Sequence, residues 1–361
     1  MQPRQLDKPD YMQIPVKTTE LDRLRAPPPL PAGGGTTMTA IVQDRYGSAP
    51  EGLLRLAEID RPAIRSGEVL VRVQAASVDR GTWHIMSGLP YPIRLAGFGL
   101  RRPKYANPGR NLAGTVEAVG ADVTDFVPGD DVFGMSTGTF AEYAAARTGK
   151  LARKPVNLSF DQAAAVPGSG TTALQAVRDH GRVQAGEKVL IIGASGGVGT
   201  FAVQIAKAAA AEVTGVCSTS KVDMVRALGS DHVIDYTRED FADGTRHYDL
   251  ILDIGGSTPV RRLRRALRPR GTLVFVGGEN SGNLTGLGRQ LRGALLSPFL
   301  RQRLVLLMAK ERAADLERLT GLIEDGKVVP SVDRSYPLDE APDAMRLLEK
   351  GRVRGKVVIT V

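Results

Sequence analysis

Four apolar residues, Val189-Leu190-Ile191-Ile192, run straight into Gly193-Ala194-Ser195-Gly196-Gly197-Val198-Gly199, and a helical stretch from Thr200 to Lys207 follows at once. A short buried strand, a turn without side-chain bulk and a helix N-terminus bring unpaired backbone N–H groups and the positive end of a helix dipole to one point. That arrangement suits a phosphate group. Glycine spacing alone is a weak signal. The strand before it and the helix after it make the segment read as a dinucleotide cradle rather than an empty tight turn.

The chain around this turn keeps the same rhythm. Strand candidates at residues 188–192, 212–217, 232–234, 250–253 and 272–276 alternate with helical stretches at 200–211 and 221–228. Such alternation predicts parallel βαβ units in a doubly wound α/β sheet. Upstream, residues 39–127 have a different texture, with short strands punctuated by Gly and Pro. Glu68-Val69-Leu70-Val71-Arg72-Val73-Gln74-Ala75 alternates with period two, and Val127-Pro128-Gly129-Asp130 is a turn before another strand. Ser159-Phe160-Asp161-Gln162 reads as a capped helix start. Residues 291–307 form an amphipathic stretch expected to be helical, over the cleft, at a subunit contact or, given Arg292, Arg301 and Arg303, at a membrane interface. Helical pattern resumes over 314–324. The final strand, residues 356–361, is expected to return to the first sheet. The expected organisation is a flexible tail (1–37), a β-rich domain in two pieces (38–160 and 315–361) and a nucleotide-binding domain (161–314).

The second test of the cradle is the tip of the next strand. A carboxylate there would favour NAD through the ribose 2′-hydroxyl. Here Val213-Thr214-Gly215-Val216 ends in Cys217-Ser218-Thr219-Ser220-Lys221, with Asp223 expected a turn into the following helix. Hydroxyls and a lysine suit a 2′-phosphate, so the expected cofactor is NADPH.

Composition excludes several alternatives. The 361 residues carry one cysteine, Cys217, which allows no internal disulfide, fits a reducing cytoplasm and leaves no multi-cysteine metal site. The four histidines, His84, His180, His232 and His247, are scattered without ligand spacing. His84 is expected in a structural or solvent-facing role rather than as a ligand. The N-terminus has scattered charges and no signal-peptide core, and Pro27-Pro28-Pro29 and Gly33-Gly34-Gly35 mark the tail as flexible. No apolar run approaches the roughly 20 residues of an integral membrane segment. The net charge is +9, with a cluster at Arg261-Arg262, Arg264-Arg265 and Arg268-Pro269-Arg270. That cluster reads as a solvated helix face. Without a zinc-finger or aromatic RNA-binding signature, no nucleic-acid partner is expected.

The run 193–207, the strand tip at Cys217-Ser218 and Asp231-His232-Val233-Ile234-Asp235-Tyr236 together resemble the medium-chain dehydrogenase/reductase superfamily, closest to its zinc-free quinone oxidoreductase (zeta-crystallin-like) branch. Residues 112–120 with Pro128-Gly129-Asp130, Gly170-Thr171-Thr172-Ala173-Leu174-Gln175 and Gly355-Lys356-Val357-Val358 extend the likeness over residues 39–361. The resemblance implies a discontinuous GroES-like β-rich domain, a Rossmann domain, a cleft for the nicotinamide between them, and a homodimer. It places Thr172 near the nicotinamide; Ala194, Ser195, Gly196, Gly197 and Val198 at the pyrophosphate; and Cys217, Ser218, Lys221 and Tyr236 around the adenosine. Asp253, Ile254, Val276, Gly277 and Gly278 fall on the nicotinamide side. One departure stands out. The family often carries Asn-Pro-x-Asp where this chain has Asp79-Arg80-Gly81-Thr82.

Without a metal, the chemistry expected is hydride transfer from NADPH to a quinone or α,β-unsaturated carbonyl, with the protein supplying orientation. The anion formed needs a proton donor. The candidates lie in the segment beginning at Asp79, namely Thr82, Trp83 and Tyr91. Two rival readings stay open: an enoyl-thioester reductase, and an NADPH-binding protein with little turnover, suggested by Asp79 and Thr82.

Overall fold

Side chains alternate through β3 (Glu68–Val78): Val69, Val71 and Val73 are buried while Arg72 is exposed. From Ala75 to Val78 both faces are covered, and Ser77 donates its hydroxyl to the Ala164 carbonyl at the end of a short helix behind the sheet. The structure is a computed structural model and describes residues 36–277, 288, 293 and 300–361. Before β3, β1 (Thr37–Val42) and β2 (Arg55–Asp60) form an antiparallel pair. After it come β4 (Asn111–Val119), β5 (Asp131–Met135), β6 (Tyr143–Arg147) and β7 (Leu151–Arg153). β4 and β6 pair antiparallel with β3, β5 with β4, and β7 with β5. Helix α1 (Arg80–Ser87) leaves the end of β3, capped by the Asp79 carboxylate and stopped by Gly88 at φ 66°, a left-handed value that glycine adopts without strain. Helices α2 (Phe160–Ala164) and α3 (Pro167–Leu174) then lead away. The predicted Ser159 cap is present as a full capping box with Gln162.

The predicted βαβ rhythm follows. β8 (Lys188–Ile192), β9 (Glu212–Cys217), β10 (His232–Asp235), β11 (Tyr248–Asp253), β12 (Leu267–Phe275) and β13 (Arg303–Leu306) form one parallel sheet in the order β10-β9-β8-β11-β12-β13. Helix α4 (Gly197–Ala208) crosses from β8 to β9, α5 (Val222–Ala227) from β9 to β10, and α6 (Val260–Ala266) from β11 to β12. The chain reverses its direction across the sheet at β8, the switch point where doubly wound folds open a crevice. In α6, Leu263 and Ala266 are buried while Arg261, Arg262 and Arg265 face solvent, as expected of a solvated helix face, but Arg264 binds Gln302 and Arg268 and Arg270 of the same cluster lie on β12.

One expectation fails here. Residues 303–306 are strand, paired parallel to β12 from Thr272↔Arg303 to Phe275↔Leu306, so the stretch read as one helix to residue 307 ends in an edge strand. Arg303 is tied to the Thr272 hydroxyl and the His180 carbonyl rather than to a membrane surface. A short apolar run carries both periods, and pairing with an open sheet edge decides between them. Residues 289–292 and 294–299 lie outside the described residues.

The chain then returns to the first sheet. β14 (Val332–Pro337) runs parallel to β15 (Lys356–Thr360), and β15 pairs antiparallel with β3 from Val357↔Val78 to Thr360↔Ala75. Just before β15, Gly355 bridges to Gly196 of the glycine turn. The last crossing of the chain therefore touches both the first sheet and the glycine turn.

Candidate functional site

The glycine turn is built by close backbone approach. Gly193 leaves β8 at φ 89°, and the N–H groups of Gly193 and Ala194 both donate to the Val216 carbonyl at 3.1 Å. Gly199 packs the first turn of α4 onto the end of the strand, where an added Cβ would lie 2.1 Å from the Gly193 oxygen. Gly196, the N-cap, is extended and offers no side-chain cap, so the donors of the first turn are left to whatever occupies the space in front. Gly277 closes the opposite side, where a Cβ would lie 2.0 Å from the Ile254 oxygen.

In front of the turn lies a cleft of about 1210 Å³. It brings together Thr172, Ser195, Gly196, Gly197, Val198, Cys217, Ser218, Lys221, Tyr236, Ile254, Val276 and Gly277 of the expected cofactor set. Ala194 and Asp253 are fully buried behind its wall. The Asp253 carboxylate accepts from the Gly256 N–H and shapes that turn. Gly278 lies outside the described residues.

At the tip of β9 the Lys221 ammonium donates to the carbonyls of Val353 at 2.7 Å and Gly351 at 3.4 Å, and burial lowers its pKa. This contact draws in residues that the sequence reading missed. Arg352 and Arg354 join Lys221, Ser218 and Ser220 on the cleft wall, and Arg354 donates to the Ser220 carbonyl. Gly351-Arg352-Val353-Arg354-Gly355, a basic run between glycines just before the last strand, was the available signal. Glu239 and Asp240 also line this end, the latter paired with Arg262. Burial, with the Asp235 carboxylate beside it, pushes the Cys217 thiol up to about 11, so it is protonated at neutral pH and is no nucleophile.

At the other end, α1 presents Arg80, Gly81 and His84 to the cleft, positions i, i+1 and i+4 on one helical face. The donors expected from this segment point elsewhere and are corrected here. Thr82 is buried, and both its N–H and its hydroxyl donate to Asp79, at 2.7 and 3.0 Å. Trp83 packs with the apolar cluster that contains Met86 and Leu338. Tyr91 is 51% exposed under the Arg94 guanidinium, away from the cleft. Asp79 does line the cleft, but its oxygens are committed to Thr82, to the Asn111 amide at 2.7 Å and to the charge of Lys356. Burial alone would raise its pKa; Lys356 and these hydrogen bonds outweigh that and hold it below the usual carboxylate range. Asp79 is therefore a half-buried anion engaged as an acceptor rather than a proton donor. Met135, Lys310, and Arg110 paired with Glu311, complete this end. His84 is held by its Nδ1, 2.7 Å from the Leu89 carbonyl. Among the described residues, no group of three or more His, Cys, Asp or Glu is placed to hold a metal ion.

Comparison with known proteins decides the family. The pattern of the family described as zinc-binding dehydrogenase matches residues 228–359, and that of the alcohol dehydrogenase GroES-like domain matches residues 65–156. The mouse protein named NAD(P)H oxidoreductase RTN4IP1, mitochondrial, is 33% identical over 361 residues, covering 90% of each chain. The structure of Escherichia coli quinone oxidoreductase complexed with NADPH matches with a TM-score of 0.75 and 26% identity, covering 90% of this chain and 100% of the other. The chain belongs to the medium-chain dehydrogenase/reductase superfamily, in its quinone oxidoreductase branch. It is an oxidoreductase built from a GroES-like domain and a Rossmann-type sheet. A tomato (Solanum lycopersicum) relative, 2-methylene-furan-3-one reductase, is 31% identical over 87% of this chain and 76% of its own length. The mouse relative is named as mitochondrial, so the cytoplasm suggested by the lone cysteine gains no support. No helix among the described residues is long and apolar enough to cross a membrane.

Proposed function

We propose that this oxidoreductase transfers a hydride from NADPH to a quinone or an α,β-unsaturated carbonyl compound, without a metal. The observation that carries the reading is the continuous cleft, which joins the uncapped start of α4 to a cluster of cations and hydroxyls at one end and to the α1 face at the other. A dinucleotide fits the residues present. The backbone N–H groups of Ser195, Gly197 and Val198 suit the pyrophosphate. Ser218, Lys221, Arg352 and Arg354 suit a 2′-phosphate, which no carboxylate at the β9 tip opposes. Thr172, Ile254, Val276 and Gly277 remain for the nicotinamide. When bound, the dihydronicotinamide supplies the hydride. The protein orients it and meets the negative charge that develops on the acceptor, through the donors Arg80 and Arg110 that line that end. The relatives named for a quinone substrate and for an enone substrate support the same acceptor class.

Arg352 is exposed on the cleft wall. Replacing it with alanine is expected to raise the Kd for NADPH about tenfold, the loss of one charge-assisted contact, and to leave NADH binding nearly unchanged. Equal affinity of the wild type for NADPH and NADH, with no selective effect of Arg352→Ala, would remove the 2′-phosphate reading. Turnover with 9,10-phenanthrenequinone and an enone, against a crotonyl thioester, separates the proposed reaction from enoyl-thioester reduction. NADPH binding without turnover on any of these would sink the reaction assignment.

The zinc-independent reading rests on the donor set. Of the cysteine and histidines, only His84 and Cys217 line the cleft, and the Cys217 thiol lies at the tip of β9 beside Ser218, in protonated form. Dialysis against a chelator is therefore expected to leave turnover unchanged, and elemental analysis to find no stoichiometric zinc. Restoration of lost activity by added zinc would reverse this assignment. We also propose a homodimer, to be checked by light scattering, and domain limits at residues 160 and 315.

A further inference from the structure

A buried lysine, Lys356, and a half-buried aspartate, Asp79, carry opposite charges on the cleft wall beside the glycine turn. Lys356 opens β15 with 2% of its surface exposed, and its Nζ donates to the Val78 carbonyl at 3.0 Å, one residue before Asp79. The Asp79 carboxylate caps α1 and takes the Asn111 amide. Both side chains reach the cleft wall. The stem of Lys356 lies against the turn: a Cβ added at Gly197 would come 3.1 Å from its Cδ, with Nζ two bonds further on. The backbone fixes this placement, because Gly355 N–H donates to the Ser195 carbonyl at 2.9 Å.

Capping does not require a charge at position 79. Asparagine, which the family often places here, caps a helix as well as aspartate does. The negative charge is what this chain adds, one residue beyond the carbonyl that holds the ammonium. In an interior of low effective dielectric, charges at such range act strongly on an anion bound nearby.

We propose that Lys356 is a cofactor-binding charge and Asp79 its counterweight: the buried ammonium attracts the dinucleotide pyrophosphate through the glycine turn, and the carboxylate sets how strong that attraction is. This rests on the reading that the turn holds NADPH.

The two charges then have opposite effects on affinity. The test is calorimetric titration of the full chain with NADP+, which binds without turnover, at pH 6.5, alongside thermal unfolding. Asp79→Asn is expected to tighten NADP+ about fivefold, and Lys356→Met to weaken it by about tenfold or more. The doubly neutral D79N/K356M chain is expected to return toward wild-type affinity. Added salt should shrink both single effects. A purely structural pair gives a different result, because either single substitution then loosens the site and both weaken binding together with Tm. Weakening by both variants, or no change in either, overturns the proposal. Should K356M not fold, the sign of the D79N effect decides alone. A wild-type chain that binds no NADP+ fails the functional reading itself, and this proposal with it.

Discussion

Gly199→Ala is expected to abolish dinucleotide binding and to destabilise the chain by about 3 kcal/mol, the upper range for an overpacked interior. The added Cβ would stand 2.1 Å from the Gly193 oxygen, 2.7 Å from the Ala194 carbonyl carbon and 2.8 Å from the Ala194 Cα. All three are backbone atoms, so no side chain can swing aside. The Gly193 oxygen already accepts the Gly196 N–H at 3.1 Å, and moving it opens the turn that aims the α4 donors. Gly196→Ala is the control. Its Cβ would meet only the Gly193 oxygen at 3.5 Å, an ordinary contact, so its Tm should stay near wild type. Thermal unfolding and NADP+ titration of both variants check this. A G199A chain with wild-type Tm and affinity would show that the close approach is not required.

Asn111→Leu is expected to cost about 3 kcal/mol, the sum of leaving a half-buried carboxylate and the Gly168 N–H each short of a partner. Asn111 is wholly buried. Its amide donates to Asp79 at 2.7 Å, and its oxygen accepts the Gly168 N–H at 2.8 Å. One side chain thus joins β4, the cap of α1 and the start of α3. Asn111→Asp tests the electrostatics separately, by placing a second carboxylate against Asp79.

The pH dependence then changes sign. In the wild type the Asp79 pKa is held below its ordinary value, so its contribution to stability is complete above about pH 4 and is lost as pH falls through the folded-state pKa. In N111D the two carboxylates share a proton and the folded-state pKa rises above the unfolded one. Stability is then greatest at low pH and declines as pH rises through the raised value. Urea midpoints at pH 5 and pH 7 should therefore favour pH 5 for N111D only. Parallel midpoints in the two proteins would contradict the contact.

The parts of the site that were legible from residue order are those built from neighbours in the chain. Residues 188–207 carry strand, turn and helix in one continuous segment, and the tip of β9 is read directly from Cys217-Ser218. The face of α1 was legible in principle, since Arg80 and His84 are four apart. It was misread because Thr82 and Trp83 offer more obvious donors, and only packing shows that Asp79 and the apolar cluster around Met86 claim them. Arg303 was misread because a four-residue strand on a sheet edge has no period long enough to separate it from a helix.

The sequence by itself determined the βαβ alternation, the glycine turn and the absence of a carboxylate at the second strand tip, because each depends on contacts within a few residues or one helical turn. Tertiary structure alone decided what surrounds the cleft. Lys356 bonds to Val78 across a separation of 278 residues, and Lys221 to Val353 across 132. No local periodicity carries such pairings. They arise when the last strand is added beside β3, where its apolar side chains are buried and its backbone groups find partners, and that step carries residues 351–356 into the cleft.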